Sequence, residues 1–197
     1  MRQIKEIAFR PFATWFHRVP PAILTLISLL FGILAFGALA YQLYWLAFFA
    51  WFFNRAFDAL DGVVARMQNS QSDFGGYLDI LVDFIVYALI PIGLVLGQPS
   101  TSAYMALVIL LAVFYVNAAS WMYLSAILEK RAAGAENQGE QTSVTMPAGI
   151  IGGTETIIFY SLFILFNQWF IWLFVLMIIL VAITIIQRLL WAVKNLE

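Results

Sequence analysis

Apolar residues run through this chain in six long blocks, at 22–41, 43–65, 75–97, 103–128, 148–166 and 169–191. Each comes close to or exceeds the about 20 residues that a helix needs to cross the hydrocarbon core of a bilayer. The joins near 41–43, 98–102 and 166–168 are short and uncharged, whereas the 66–74 and 129–147 links and both termini carry charge. Only 129–147 (EKRAAGAENQGEQTSVTMP) has the composition of a loop. Residues 1–21 follow another pattern. Ile4, Ile7, Ala8, Phe12, Trp15 and Phe16 recur at helical spacing among Arg2, Lys5, Arg10 and Arg18, with interruptions at Pro11, Pro20 and Pro21. That spacing predicts an amphipathic helix lying on a membrane surface. A signal peptide fits poorly, because the charged region is long and no A-x-A-like cleavage site follows it. The expected fold is an all-α integral membrane protein: a single membrane domain over 1–197, with a surface helix at 1–21 and a six-helix transmembrane bundle at 22–193.

Composition agrees with the pattern. Of the 197 residues, 63% are hydrophobic, against about 45–50% in soluble domains on a broader apolar count, and the mean hydropathy is +0.91. A soluble domain and a disordered chain are excluded. A net charge of −1 offers no basic surface for nucleic acid. The absence of cysteine excludes disulfides, thiolate nucleophiles and cysteine-ligated metals. With the spans alternating in direction, every Lys and Arg falls on or close to one side of the membrane. The positive-inside bias then places both termini in the cytoplasm, in a multi-pass protein of the inner or plasma membrane. All eleven acids fall on or near that same side, so chemistry is expected at the cytoplasmic face. Trp15 and Trp191 at the inner boundary, and Trp45, Trp169 and Trp172 near the outer one, read as interface anchors. His17 beside Arg18 reads as an interface residue too.

The acids carry the sharpest signal. All five aspartates, Asp58, Asp61, Asp73, Asp79 and Asp83, lie within 26 residues, and four of them sit on segments that otherwise read as spans. An ionised carboxylate at membrane depth costs about 3 kcal/mol or more unless it is paired, hydrated or metal-bound. On the second helix, Asp58, Asp61, Gly62 and Ala65 fall at i, i+3, i+4 and i+7, one stripe. On the third, Gly75, Asp79 and Asp83 fall at i, i+4 and i+8, again one stripe. The short polar link 67–74 (MQNSQSDF) makes the two helices antiparallel neighbours, so that their stripes face each other. Structural ion pairing fails on counting, since Arg55 and Arg66 are the only nearby cations. Oxygen-only ligands suit a hard cation, Mg²⁺ or Mn²⁺, and two such ions can clamp a phosphate. Taken alone, Gly62, Ala65 and Gly75 read as close helix packing. Beside the carboxylates they also leave room for a nucleotide, with Arg66 placed to neutralise a phosphate or pair with an acid. Asp73 is expected to cap the third helix from the link.

Read as a string, residues 58–83 are DALDGVVARMQNSQSDFGGYLDILVD. Asp58, two residues, Asp61-Gly62, two residues, Ala65-Arg66, eight residues, Gly75, three residues, Asp79, three residues, Asp83: this resembles the CDP-alcohol phosphotransferase signature at every fixed position. The segment VPPAILTLIS (19–28) is similar to the family's entry into its first helix, although Ala22 stands where many members carry asparagine. The resemblance implies six spans, a cytoplasmic amphipathic N-terminal helix and a homodimer. It implies that Asp58, Asp61 and Asp79 hold a pair of Mg²⁺ or Mn²⁺ ions, with Asp83 as a further ligand and the general base. Asp61, Gly62, Ala65, Arg66 and Gly75 would line the site for the CDP moiety. The acceptor hydroxyl would lose its proton to Asp83 and attack the phosphorus bearing the alcohol group, and CMP would leave. The implied function is transfer of the phosphatidyl group from CDP-diacylglycerol to a small polyol, polyol phosphate or amino alcohol, a step of phospholipid biosynthesis.

The acceptor is not written in these residues. Lys130, Arg131 and Arg188 are the basic residues near the later helices, and Asn117, Ser120, Tyr123 and Glu155 are their polar neighbours. Glu155 suits a hydrogen bond to a polyol, a pairing with an amino alcohol or an ion pair with Lys130. Two alternatives stand beside the main reading. A soluble CDP-alcohol donating its phospho-alcohol to a lipid acceptor would share the signature. A cation-coupled transporter would also place acids at membrane depth, but it predicts broken helices and paired halves, whereas these aspartates cluster in one hairpin.

Overall fold

Among the described residues six α-helices follow one another: α1 (Pro21–Ala40), α2 (Tyr44–Met67), α3 (Asp73–Gly97), α4 (Thr101–Lys130), α5 (Gly153–Leu165) and α6 (Phe170–Leu196), the last entered through a 3₁₀ turn at Asn167–Trp169. The computed structural model describes residues 13–131 and 149–196, and no strand occurs among the described residues. Most of the expected surface helix (residues 1–12) and most of the 129–147 loop lie outside the described residues. The chain gathers into two compact units, one holding α1–α3 and ending at Pro99, the other holding α4–α6 and beginning at Ser100.

The helix ends follow from local chemistry. Pro21 opens α1, where a missing N–H goes unneeded and the fixed φ is already helical. Ser100 caps α4 by accepting from the N–H of Ala103 at 3.1 Å. At the end of α2, Asn69 adopts a left-handed φ of 50°. Its N–H bonds the carbonyl of Arg66 and that of Ser70 the carbonyl of Ala65. This paired closure turns the chain sharply, and Asn is among the few non-glycine residues that tolerate that conformation.

In the first unit α1 is the platform, packing closely along both α2 and α3, while the backbones of α2 and α3 barely approach each other. Leu24, Ala35 and Leu39 of α1, Val64 of α2, and Val86, Ile90 and Leu94 of α3 are fully buried. Glycines permit the α1–α3 crossing. A β-carbon on Gly93 would lie 2.7 Å from the backbone oxygen of Phe36, and one on Gly97 would collide with the backbone oxygen of Leu39. Gly76, by contrast, faces open space. Gly93→Ala is therefore expected to destabilise the fold by about 1–3 kcal/mol through overpacking. Gly76→Ala is expected to stabilise it by about 0.5–1 kcal/mol through helix propensity. Thermal unfolding in detergent checks both; midpoints moving in the same direction would contradict the packing.

In the second unit α4 packs along α6, and α5 packs on α6. An aromatic core of Tyr160, Phe163, Phe170 and Phe174 holds α5 to α6, with the Phe163 and Phe174 ring centroids 4.8 Å apart. The expected span at 148–166 is helical only from Gly153. Before it the chain is non-helical and docks on α6: the N–H of Ile150 donates to Gln187 Oε1 and that of Ile151 to Thr184 Oγ1. These side chains satisfy backbone groups that bare chain at membrane depth would leave unpaired.

Among the described residues, four helices are long and apolar enough to cross a membrane: Pro21–Ala40, Asp73–Gly97, Thr101–Lys130 and Asn167–Leu196. Gly153–Leu165 is apolar but has 13 residues, a length of about 20 Å. Tyr44–Met67 has the length, at 24 residues, but its apolar character is interrupted by Arg55, Asp58, Asp61 and Arg66. Large apolar side chains such as Leu30, Phe52, Val108 and Leu190 are exposed, as suits helices bathed in lipid rather than water.

Candidate functional site

The stripes expected on the second and third helices form on α2 and α3. Asp58 and Asp61 stand one turn apart on α2, and Asp79 and Asp83 one turn apart on α3. The antiparallel arrangement shows in the cross-links between the two helices: Tyr44 meets Gln98, Trp51 meets Tyr87 and Arg55 meets Asp83. The four carboxylates converge in the first unit. Asp58 lies within electrostatic reach of Asp83, Asp79 and Asp61, and Asp61 within reach of Asp79 and Asp83. Helix α1 contributes as well. Thr25 donates its hydroxyl to Asp61 Oδ2 at 2.6 Å, fixing a carboxylate that is otherwise buried.

Arg55 is the residue that sequence reasoning undervalued. Its Nη1 donates to Asp83 Oδ1 at 2.8 Å and lies 3.8 Å from Asp58 Oδ1. The same nitrogen donates to Tyr87 Oη at 3.1 Å. Its Nε donates to Asn54 Oδ1 at 2.7 Å, and Asn54 in turn donates to the backbone oxygen of Ser28 on α1. The guanidinium carbon sits 4.9 Å from the Trp51 ring centroid and 5.2 Å from that of Tyr87, within range of cation–π attraction. The Arg55–Asp58 pairing is an i, i+3 contact visible in the sequence. The pairing with Asp83, 28 residues away, depends on how α1 brings the helices together.

The small residues play a part other than helix packing. A β-carbon on Gly62 would meet only Arg66 Nη1, at 3.3 Å, and one on Gly75 only Ser72 Oγ, at 3.2 Å. Both contacts come from residues close by in sequence, with no neighbouring helix pressed against either glycine. Gly62 gives Arg66 room to fold back along α2, and Gly75 gives the Ser72 cap room to close. Ala65 is also partly accessible. The glycines that do sit at a helix crossing are Gly32, Gly93 and Gly97.

One capping assignment changes. Ser72, in place of Asp73, caps α3: its backbone is extended and its hydroxyl accepts from the N–H of Gly75 at 3.1 Å. Asp73 is the first helical residue, where its charge favours the positive end of the helix dipole. Both residue types cap well, so spacing alone did not separate them. Glu155 closes the start of α5, with Oε2 accepting from the N–H of Gly152 at 3.0 Å. Of the other basic residues considered, Arg188 is buried in the second unit, its Nη1 donating to Asn117 Oδ1 at 2.9 Å.

The donor set fits a hard divalent cation in kind. Four carboxylates share one neighbourhood in which Arg55 and Arg66 supply the only formal positive charges between residues 55 and 83, leaving an excess of two negative charges. The arrangement is a loose cluster rather than a closed ligand shell. Among the described residues, no three Asp, Glu or His side chains are drawn together tightly enough to enclose one ion. Two of the four acids are turned to Arg55 instead.

Comparison with known proteins covers the whole of this hairpin. The sequence profile of CDP-alcohol phosphatidyltransferases matches residues 18–186, from just before α1 into α6. The chain is also 37% identical over 153 residues to the inner membrane protein YnjF of Escherichia coli (strain K12), covering 77% of this chain and 72% of that protein. The apolar helices and the inner-membrane relative make this an integral membrane protein. With the profile matched over most of its length, the chain belongs to the CDP-alcohol phosphatidyltransferase family, membrane phosphotransferases of lipid synthesis that act on a CDP-alcohol and an alcohol acceptor.

Proposed function

We propose that this enzyme transfers the phosphatidyl group of CDP-diacylglycerol to a small hydroxyl-bearing acceptor (a polyol, a polyol phosphate or an amino alcohol) and releases CMP. The observation that carries the proposal is the convergence of Asp58, Asp61, Asp79 and Asp83 on the α2–α3 seam, with no neighbouring helix pressed against Gly62 or Gly75. A diphosphate entering that seam from the side can leave its acyl tails in the bilayer. Backbone approach at Gly62 and Gly75 makes space for the nucleotide, and Arg66, folded over Gly62, faces its phosphate charge. Asp58, Asp61, Asp79 and Asp83 would hold Mg²⁺ or Mn²⁺, in a pair, and the ions would supply Lewis-acid polarisation and charge neutralisation at the diphosphate. Asp83 takes the proton of the acceptor hydroxyl. The freed oxygen forms a bond to the phosphorus bearing the diacylglycerol, the bond from that phosphorus to the CMP oxygen breaks, and CMP departs with the electron pair. The six helices would cross the membrane with both termini and this hairpin's charged ends at the cytoplasmic face, as the distribution of Lys and Arg favours.

The test is an assay of the detergent-solubilised protein with labelled CDP-diacylglycerol, Mg²⁺ or Mn²⁺ and a panel of acceptors. CMP release that depends on one acceptor is the expected result and names the reaction. A parallel arm supplies soluble CDP-alcohols with diacylglycerol; release in that arm alone would reverse the lipid roles. No metal-dependent CMP release from any CDP-alcohol would overturn the proposal.

A further inference from the structure

Arg55 lies on α2 and is about nine-tenths buried, with 9% of its side chain exposed. A buried guanidinium needs compensation for the water it gives up. It finds this in Asp83 at 2.8 Å, Asp58 at 3.8 Å, the Tyr87 hydroxyl, the Asn54 amide and the Trp51 ring face. Even so, its Nη2 is buried with no hydrogen-bond partner. The group is thus fixed on one side and left with an unused donor on the other. Around it, two acids from different helices converge on one cation, and the looseness of the carboxylate cluster is the direct counterpart of that convergence.

We infer that Arg55 is a positioning residue, an internal counter-cation that holds Asp58 and Asp83 together across the α2–α3 seam and yields Asp83 when a divalent cation enters the cluster. The inference rests on the proposed reading of the four aspartates as metal ligands. The physical argument is charge. Without a neutralising partner, four carboxylates facing each other in a low-dielectric seam would push α2 and α3 apart, and the two helices have little backbone packing to resist it. Arg55 supplies one unit of positive charge at the point where α2 reaches α3. Asn54 keeps it there, because its own amide is tied to Ser28 of the platform helix. When a dication takes Asp83, the guanidinium stays beside Trp51, Tyr87 and Asn54 and turns its freed donors toward the seam.

A double-mutant cycle with metal titration separates this clamp from simple packing. Unfolding midpoints are measured in EDTA for the full-length protein, Arg55→Met, Asp83→Asn and the double variant, with Arg55→Lys as the conservative control. Manganese affinity is measured by isothermal titration. In EDTA the two single substitutions are expected to be non-additive, the double variant losing clearly less than their sum, with Arg55→Lys in between. Additive losses would overturn the clamp. Manganese is expected to bind Arg55→Met about tenfold or more tightly than wild type, because a competing unit charge has left the cluster. Equal or weaker binding, with the wild type still binding manganese, would overturn the exchange and leave the metal reading standing. If neither protein bound manganese, the metal reading and the exchange would both fall. The cycle in EDTA would still decide the clamp. Should Arg55→Met fail to fold, Arg55→Gln carries the same comparison, because it also removes the unit charge while keeping an amide that can hydrogen-bond.

Discussion

Asp83→Asn is expected to lower CMP release about a thousandfold or more, the scale on which a general base contributes, while the protein keeps its fold and binds at least one divalent ion. The two parts of the expectation come from different atoms. Asparagine retains an oxygen that can accept from Arg55 Nη1, so the 2.8 Å cross-link between α2 and α3 has a neutral substitute. It has no basic oxygen to take the acceptor's proton. Asp58, Asp61 and Asp79 remain as oxygen donors. Single-turnover CMP release and manganese titration on the same preparation check both halves. Turnover within tenfold of wild type would remove Asp83 from the role of base. Lost metal binding with lost turnover would make it mainly a ligand.

How much of this was legible in the chain depends on the range of the interactions involved. The apolar blocks gave α1, α3, α4 and α6 to within a few residues, because a span's length and composition are local properties. The spacing of Asp58, Asp61, Asp79 and Asp83 placed them on two stripes for the same reason. What the pattern could not carry is the part played by α1. The hydroxyl of Thr25 reaches an acid 36 residues away, and α2 and α3 meet mainly through long side chains while each packs on α1. A hairpin read in isolation suggested direct helix contact. Gly62 and Gly75 illustrate the same limit, since small residues suit both a packed crossing and an open seam, and only their neighbours distinguish the two. The late start of α5 also escaped, because its preceding residues are apolar enough to read as span and their docking on Thr184 and Gln187 is a tertiary contact.

Withdrawal of divalent cations is expected to reduce CMP release below about a thousandth of its full value, with recovery on adding Mg²⁺ or Mn²⁺. It should also lower thermal stability. The four clustered acids against two arginines leave two uncompensated negative charges at the site. A ligand present at about a hundred times its dissociation constant stabilises a fold by about 2.7 kcal/mol. The midpoint should therefore rise as the metal is restored, and rise less in Asp61→Asn, which lacks one of the buried charges. Thr25→Val supplies the contrast. It removes the hydroxyl that donates to Asp61 Oδ2 but leaves the carboxylate itself, so it should weaken metal binding about tenfold, the effect of losing an orienting contact behind a ligand. Full activity in the presence of excess chelator would refute the metal requirement. A Thr25→Val defect as large as that of Asp61→Asn would mean that the platform helix supplies more of the site than an orienting hydrogen bond. If the ordering holds, charge on α2 and α3 sets the affinity and α1 sets the aim of the carboxylate that delivers it.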